Sequence, residues 1–223
     1  MFGTEHLDQD GKVVARTQGG DFGVVNSDTQ ALDTSVAQNL ALSRKVTVAG
    51  AIEPARQLIQ ANFQPAAPPI EFLVEHSPFV PNYHQGIFTL GFVRFFQGDM
   101  LSAASLLVPQ LENSLRYILK SSGSNPSSIE SDLTQDDRSI SSLLVHDREK
   151  LEQILGVELV FEIDMLFNFR PGPSLRHEIA HGKIPTRHFY SPDLIFACWL
   201  IFRITCLPFF SQWKEISETL NGL

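Results

Sequence analysis

Cysteine is scarce, with only Cys198 and Cys206 among 223 residues. That excludes a disulfide-stapled fold and points to a reducing, cytoplasmic setting. On a helix the two thiols stand apart by about 12 Å of rise, beyond the reach of a mutual bridge, and read as small buried hydrophobes. Charge is also sparse, at 19%, and basic residues are outnumbered 25 to 17, for a net charge of −8. Such a surface repels polyanions in general and excludes broad coating of a nucleic acid, while leaving room for a local basic site. Tyr and Trp are few, three and two, against 17 Phe. Ring packing by Phe is therefore expected to dominate the core. The 43% hydrophobic content excludes a mainly disordered or collagen-like chain.

The opening residues show neither a basic n-region nor an apolar h-region, so no signal peptide is expected. One long apolar run exists, LIFACWLIFRITCLPFF from Leu194 to Phe210. It is short for a spanning helix of about 20 residues and carries Arg203 near its middle, so it reads as a buried core helix and no membrane partner is expected.

Residues 1–35 read as an irregular, partly extended arm, with Asp10-Gly11 as a turn and Lys12–Arg16 as a strand-like run. Gly19-Gly20 and Asn26-Ser27-Asp28 are expected to break any regular element there. An arm this small would not fold alone and reads as the tail of an upstream segment. From Thr34 the periodicity turns helical up to Asn62, and residues 36–223 form the expected helical domain. Further helices are predicted over Ile70–Glu75, Tyr83–Gln97, Asp99–Lys120, Leu143–Leu155 and Val157–Phe169. The clearest is Asp99–Lys120, whose Leu101, Ala104, Val108, Leu111, Leu115 and Ile118 step by three and four, with Pro109 predicting a kink. Within it Glu112 and Arg116 read as a surface ion pair. A short helix capped by Ser174 ends at Gly182, and a last long one starts near Ser191-Pro192. No strands alternate with helices and no repeat is visible, so the expected fold is an all-α bundle of about six or seven helices.

The segment that carries chemistry is RPGPSLRHEIAHGKIPTRH, Arg170 to His188. Arg170, Arg176, Lys183 and Arg187 gather beside His177, His181 and His188, with Glu178 as the sole acid. An anion site in an acidic protein would have this composition. Two reactions compete for it. His177-Glu178-Ile179-Ala180-His181 matches H-E-x-x-H, in which two histidines one turn apart hold zinc and the glutamate activates its water. The flanks lack the extended form of that motif, and a third ligand would have to come from His188, Asp193, Glu215 or Glu218. Alternatively, Arg176 and His181 form R-x-x-x-x-H. An always-charged arginine holds the scissile phosphate of RNA, and a histidine moves the proton of the attacking or leaving oxygen. Residues five apart diverge by about 140° around one helix, so this reading calls for two such helices paired across a twofold axis, and no metal.

LRHEIAHG, 175–182, resembles the L-R-[polar]-x-x-A-H-G signature of the HEPN superfamily, and GDMLSAASLLVPQLENSLRYIL, 98–119, resembles a hallmark of domain-of-unknown-function family 4209, commonly grouped near it. The early DQDGKVVAR resembles a segment that precedes the domain in longer members. The resemblance implies an HEPN-like helical bundle and a metal-independent endoribonuclease acting as a homodimer on RNA, with no cofactor. It implies Arg176 and His181 as the catalytic pair, with His177 at the polar position often taken by Asn. Arg170, Lys183 and Arg187 would bind phosphate, and Glu112 and Arg116 would support the site from a neighbouring helix. Many domains of that superfamily are non-catalytic, so a binding or dimerisation module stands as the alternative, and a zinc hydrolase as the second.

Overall fold

In the computed structural model the described residues are 4–7, 13–17, 25–63, 67–129, 135–170 and 172–212. The described chain is helical apart from two short antiparallel hairpins: β1 (Thr4–Leu7) with β2 (Val13–Thr17) ahead of the first helix, and β3 (Ser127–Ile129) with β4 (Gln135–Asp137) in mid-chain. Of the expected Lys12–Arg16 run, Val13–Arg16 lies in β2 and Lys12 is outside the described residues; the partner strand β1 lies upstream. The expected break at Asn26-Ser27-Asp28 does not occur. Helix α1 spans Val25–Thr47 and passes through one π-helical turn, Val48–Ile52, into α2 (Glu53–Phe63), so the helical domain begins about ten residues earlier than position 36. Asn, Ser and Asp favour turns by side-chain competition with the backbone, but they are compatible with the first turns of a helix.

Then follow α3 (Ala67–His76), α4 (Gln85–Gln97), α5 (Met100–Ser121), α6 (Ile140–His146), α7 (Arg148–Leu155), α8 (Val157–Ile163), α9 (Leu175–Ala180) and α10 (Pro192–Cys206). The fold is all-α. The expected bundle is present, with two of the long predicted segments divided: 143–155 breaks at Asp147, and 157–169 ends as a π-helical turn over Asp164–Asn168.

Helix α5 is the axis of the molecule. Asp99 caps it, its carboxylate accepting the Ser102 N–H at 3.1 Å, and the helix continues through Pro109 to Ser121. Ala103, Ala104, Leu107, Leu111, Leu115 and Leu119 are buried on its inner face, while Leu101, counted into the stripe by spacing alone, stays 39% exposed. Helix α4 lies against it, with Phe88, Phe92 and Phe95 fully enclosed. Gly91 permits that approach: a Cβ there would stand 2.6 Å from Leu107 Cδ2. The expected Phe-rich core is present, with Phe92 and Phe96 each edge-on to Phe202 at 5.1 Å.

Helix α10 is the apolar run read from the sequence. Ser191 caps it, with Pro192 in its first turn. The stretch Pro192–Phe210 is long and apolar enough to cross a membrane, and 56% of it is buried inside the molecule against α1, α3, α4 and α5. Arg203 lies over the Trp199 ring at 5.6 Å. Burial pushes both the Cys198 and the Cys206 thiol up to about 12.

Arg44 of α1 is only 2% exposed. Its Nη1 donates to Glu162 of α8 at 2.9 Å and its Nε to Asp193 of α10 at 2.8 Å, tying three helices through one side chain.

Candidate active site

The short helix α9 divides its residues among three surroundings, as a 3.6-residue period requires. Leu175 is buried and Ile179, one turn on, packs against the same core beside α5. Arg176 reaches along α5. His177 and His181, one turn apart, come together on the outer side with ring centroids 4.3 Å apart.

Ser174 precedes the helix but does not cap it. Its backbone is left-handed (φ 44°), and its hydroxyl donates back to the Asn168 carbonyl at 3.4 Å. Asn168 in turn donates to Asp164 at 2.8 Å, and Asp164 is paired with Arg148. The start of α9 is therefore held by the π-helical turn before it. Its end is set by Gly182 at φ 63°, where the Lys183 N–H bonds the Glu178 carbonyl and the Gly182 N–H bonds that of Ile179, both at 3.0 Å. Closure of this kind needs a left-handed residue, which glycine supplies without steric cost.

Glu112 organises the site. Its Oε2 accepts from Arg176 Nε at 2.7 Å and from the Ile140 N–H, at the start of α6, at 3.1 Å. Its Oε1 accepts from Arg176 Nη2 at 3.2 Å and from Arg116 Nη1 at 2.8 Å. Arg116 also donates to the Arg138 carbonyl at 2.9 Å and lies 3.8 Å from Asp137. The surface pair expected at Glu112–Arg116 is thus a buried one: Glu112 is 8% exposed, with the start of α6 and Arg176 of α9 packed on its carboxylate. Burial would raise its pKa, and bonds from Arg116, Ile140 and Arg176 outweigh that and hold the carboxyl below its usual range.

Arg176 is 35% exposed beyond this fork. His181 is exposed and touches His177 but not Arg176, so the two members of R-x-x-x-x-H share no contact within one chain. Among the basic flank, Lys183 Nζ lies 3.4 Å from His177 Nε2 and 3.8 Å from Glu178. Partial desolvation first, then the positive charges of His181, Lys183 and Arg170, push the His177 imidazole below its usual range, against the opposite pull of Glu178. Arg170, at the end of the preceding segment, is exposed. Arg187 is also exposed, on the 3₁₀ turn Thr186–Tyr190, and makes no ion pair with the others among the described residues.

The zinc alternative finds no third ligand among the described residues. Among the described residues no group of three His, Cys, Asp or Glu side chains could hold a metal ion. Asp193 is engaged by Arg44, and Glu215 and Glu218 lie outside the described residues. Behind α9, a cleft of about 400 Å³ is lined by Ala41, Leu175, Glu178, His188 and Asp193. Neither Arg176 nor His181 lines it, so the concavity and the candidate chemistry are on different sides of the helix.

Sequence reasoning missed Arg44, which looks like one more cation in a polar helix, and the depth of Glu112. The spacing of Glu112 to Arg116 was visible, but the burial that gives the pair its strength comes from residues 28 and 64 positions later. The chain matches no family model, no curated protein and no solved structure.

Proposed function

We propose that this chain is a metal-independent endoribonuclease of the HEPN type, cleaving RNA in the cell interior at a cleft between two copies of itself. The observation that carries this reading is the two-bond fork between Glu112 and Arg176. It fixes an always-charged guanidinium at the protein surface, on the same short helix as the half-buried His177, one turn before the exposed His181 at the helix end. An arginine oriented by a carboxylate behind it reaches a phosphodiester with little further loss of side-chain freedom. His181, on the solvent side at the helix end, is the acid–base group, and a second copy related by a twofold axis supplies the geometry that one α9 helix lacks. Arg170, Lys183 and Arg187 supply the positive field that draws RNA to an otherwise acidic chain.

The experiment is incubation of the purified chain with labelled RNA in EDTA. Cleavage leaving 2′,3′-cyclic phosphate ends is expected, because the 2′-hydroxyl is the nucleophile and no metal-bound water is used. His181→Ala and Arg176→Ala each reduce the rate by about a hundredfold or more. His177→Asn retains activity, an outcome no H-E-x-x-H hydrolase would allow. Intact RNA under all of these conditions refutes the reading.

A second reading, a non-catalytic helical binding or dimerisation module, is favoured by one observation: Arg176 spends two nitrogens on Glu112 and none on His181. It expects a stable dimer, unaffected by Arg176→Ala, that leaves RNA whole.

A further inference from the structure

We propose that a second site, separate from α9, binds the phosphate of a nucleotide in the polar cleft between the Pro81–His84 loop, α5 and the β3–β4 hairpin. The cleft has a volume of about 230 Å³, and its lining includes His84, Asn113, Arg116, Tyr117 and Lys120. Four of these five come from one stripe of α5, at spacings of three, four and seven residues, opposite the face that packs the core.

Two cations converge there in a chain of net charge −8. Arg116 is pre-placed: Glu112 and the Arg138 carbonyl hold Nη1, and the side chain is 19% exposed. Lys120, one turn further along, is exposed and has no ion-pair partner among the described residues. Among the described residues the only acid lining the cleft is Asp137, 73% exposed and 3.8 Å from Arg116 Nε, a long and solvated pair that an incoming phosphate can displace. Further polar groups complete the lining: His84, whose Nδ1 lies 2.9 Å from Gln110 Oε1 and whose Nε2 lies 3.5 Å from Asn113 Nδ2, and Tyr117, whose hydroxyl donates to Asn82 at 3.5 Å.

A second observation points to a ring as well as an anion. Tyr83, between the lining residues Asn82 and His84, is 98% exposed and has a left-handed backbone, φ 68°. Bulky residues avoid that conformation, and where it persists in a structure it clusters at ligand sites. An exposed aromatic side chain beside a cationic cleft is the combination that nucleotide sites use: charge for phosphate and a ring face for the base. The cleft is smaller than the roughly 300–1,000 Å³ that encloses a whole drug-sized ligand. It therefore takes the phosphate end and leaves the base outside, on the side of the Pro81–His84 loop that carries Tyr83.

The site does not depend on the ribonuclease reading, and its test is run in the His181→Ala chain so that no strand is cut. Inorganic phosphate, adenosine 5′-monophosphate, adenosine and a short oligoribonucleotide are titrated by calorimetry. The monophosphate is expected to bind more tightly than phosphate, and adenosine not at all. Lys120→Glu, a change at an exposed residue, weakens the monophosphate by about tenfold or more. Tyr83→Ala brings the monophosphate down to the affinity of phosphate. An oligoribonucleotide that competes with the monophosphate identifies an RNA strand as the natural source, and one that does not compete identifies a free nucleotide. Absence of both phosphate and monophosphate binding, equal binding of adenosine, or unchanged affinity in Lys120→Glu would overturn the proposal.

Discussion

At Glu112 one carboxylate accepts from two guanidinium groups and from the first backbone N–H of α6. Replacing it with Gln removes the charge and one acceptor while leaving Arg116 and Arg176 in place. Breaking a fully enclosed ion pair costs about 3–5 kcal/mol. Because Arg176 is 35% exposed and can turn to water, Glu112→Gln is expected to cost about 2 kcal/mol, read as a shifted denaturant midpoint. The same residue sets an acid dependence. Its folded pKa lies below the ordinary carboxyl value of 4.5, so its stabilisation is complete above that pH and is lost as the pH falls through the folded value. Urea titrations at descending pH should show the wild type weakening below about 4.5 more steeply than Glu112→Gln. His177 acts in the same direction at milder pH: its folded pKa is depressed from 6.5, so protonation of the unfolded chain removes stability as the pH drops below that value.

Between elements, α4 approaches α5 closely at Gly91. Alanine is the better helix former by about 1 kcal/mol, yet its Cβ would press on Leu107, which is wholly enclosed. Overpacking of a tight core costs about 1–3 kcal/mol, so the clash outweighs propensity and Gly91→Ala is expected to destabilise. In a Leu107→Ala background the same change meets open space and becomes neutral or stabilising. A double-mutant cycle measures that reversal, and simple additivity would show the contact to be unimportant. Arg44 performs the polar equivalent for α1, α8 and α10. Arg44→Ala leaves Glu162 and Asp193 without their cation and is expected to cost about 3 kcal/mol, measured by chemical denaturation.

For the molecule as a whole, the interior is continuous from α4 through α5 to α10, and it encloses both thiols to different degrees. Cys198 is 0% exposed and Cys206 partly covered, each with its thiolate disfavoured by burial. Ellman's reagent at mildly alkaline pH should leave both largely unmodified in the folded chain and label both rapidly in urea. Fast labelling of Cys198 under native conditions would mean that α10 leaves the core. Assembly belongs to this scale too. The ribonuclease reading needs a twofold pair, so sedimentation equilibrium should give twice the chain mass of 24.9 kDa, and a strict monomer would remove the shared cleft.

Periodicity, caps and breakers were enough to place most helices, because their signals are local: Asp99 at the start of α5, Ser191-Pro192 at the start of α10, Gly182 at the end of α9. The Phe-rich core followed from composition for the same reason, since burial of rings requires no particular partner. Local signals misled where context decided. Asn26-Ser27-Asp28 looked like a break and is helical, Ser174 looked like a cap and is a left-handed bend, and Glu112–Arg116 looked like a surface pair. The candidate chemistry was legible as residue types, Arg176, His177 and His181, but not as an arrangement. Which side chains meet is set by contacts between positions far apart in the chain: Arg176 to Glu112 across 64 residues, Arg44 to Asp193 across 149. A sequence fixes each residue's chemistry and local backbone preference. Only packing determines which charges are withdrawn from water together, and it is that withdrawal that turns Glu112 from a helix-surface acid into the hub of the site.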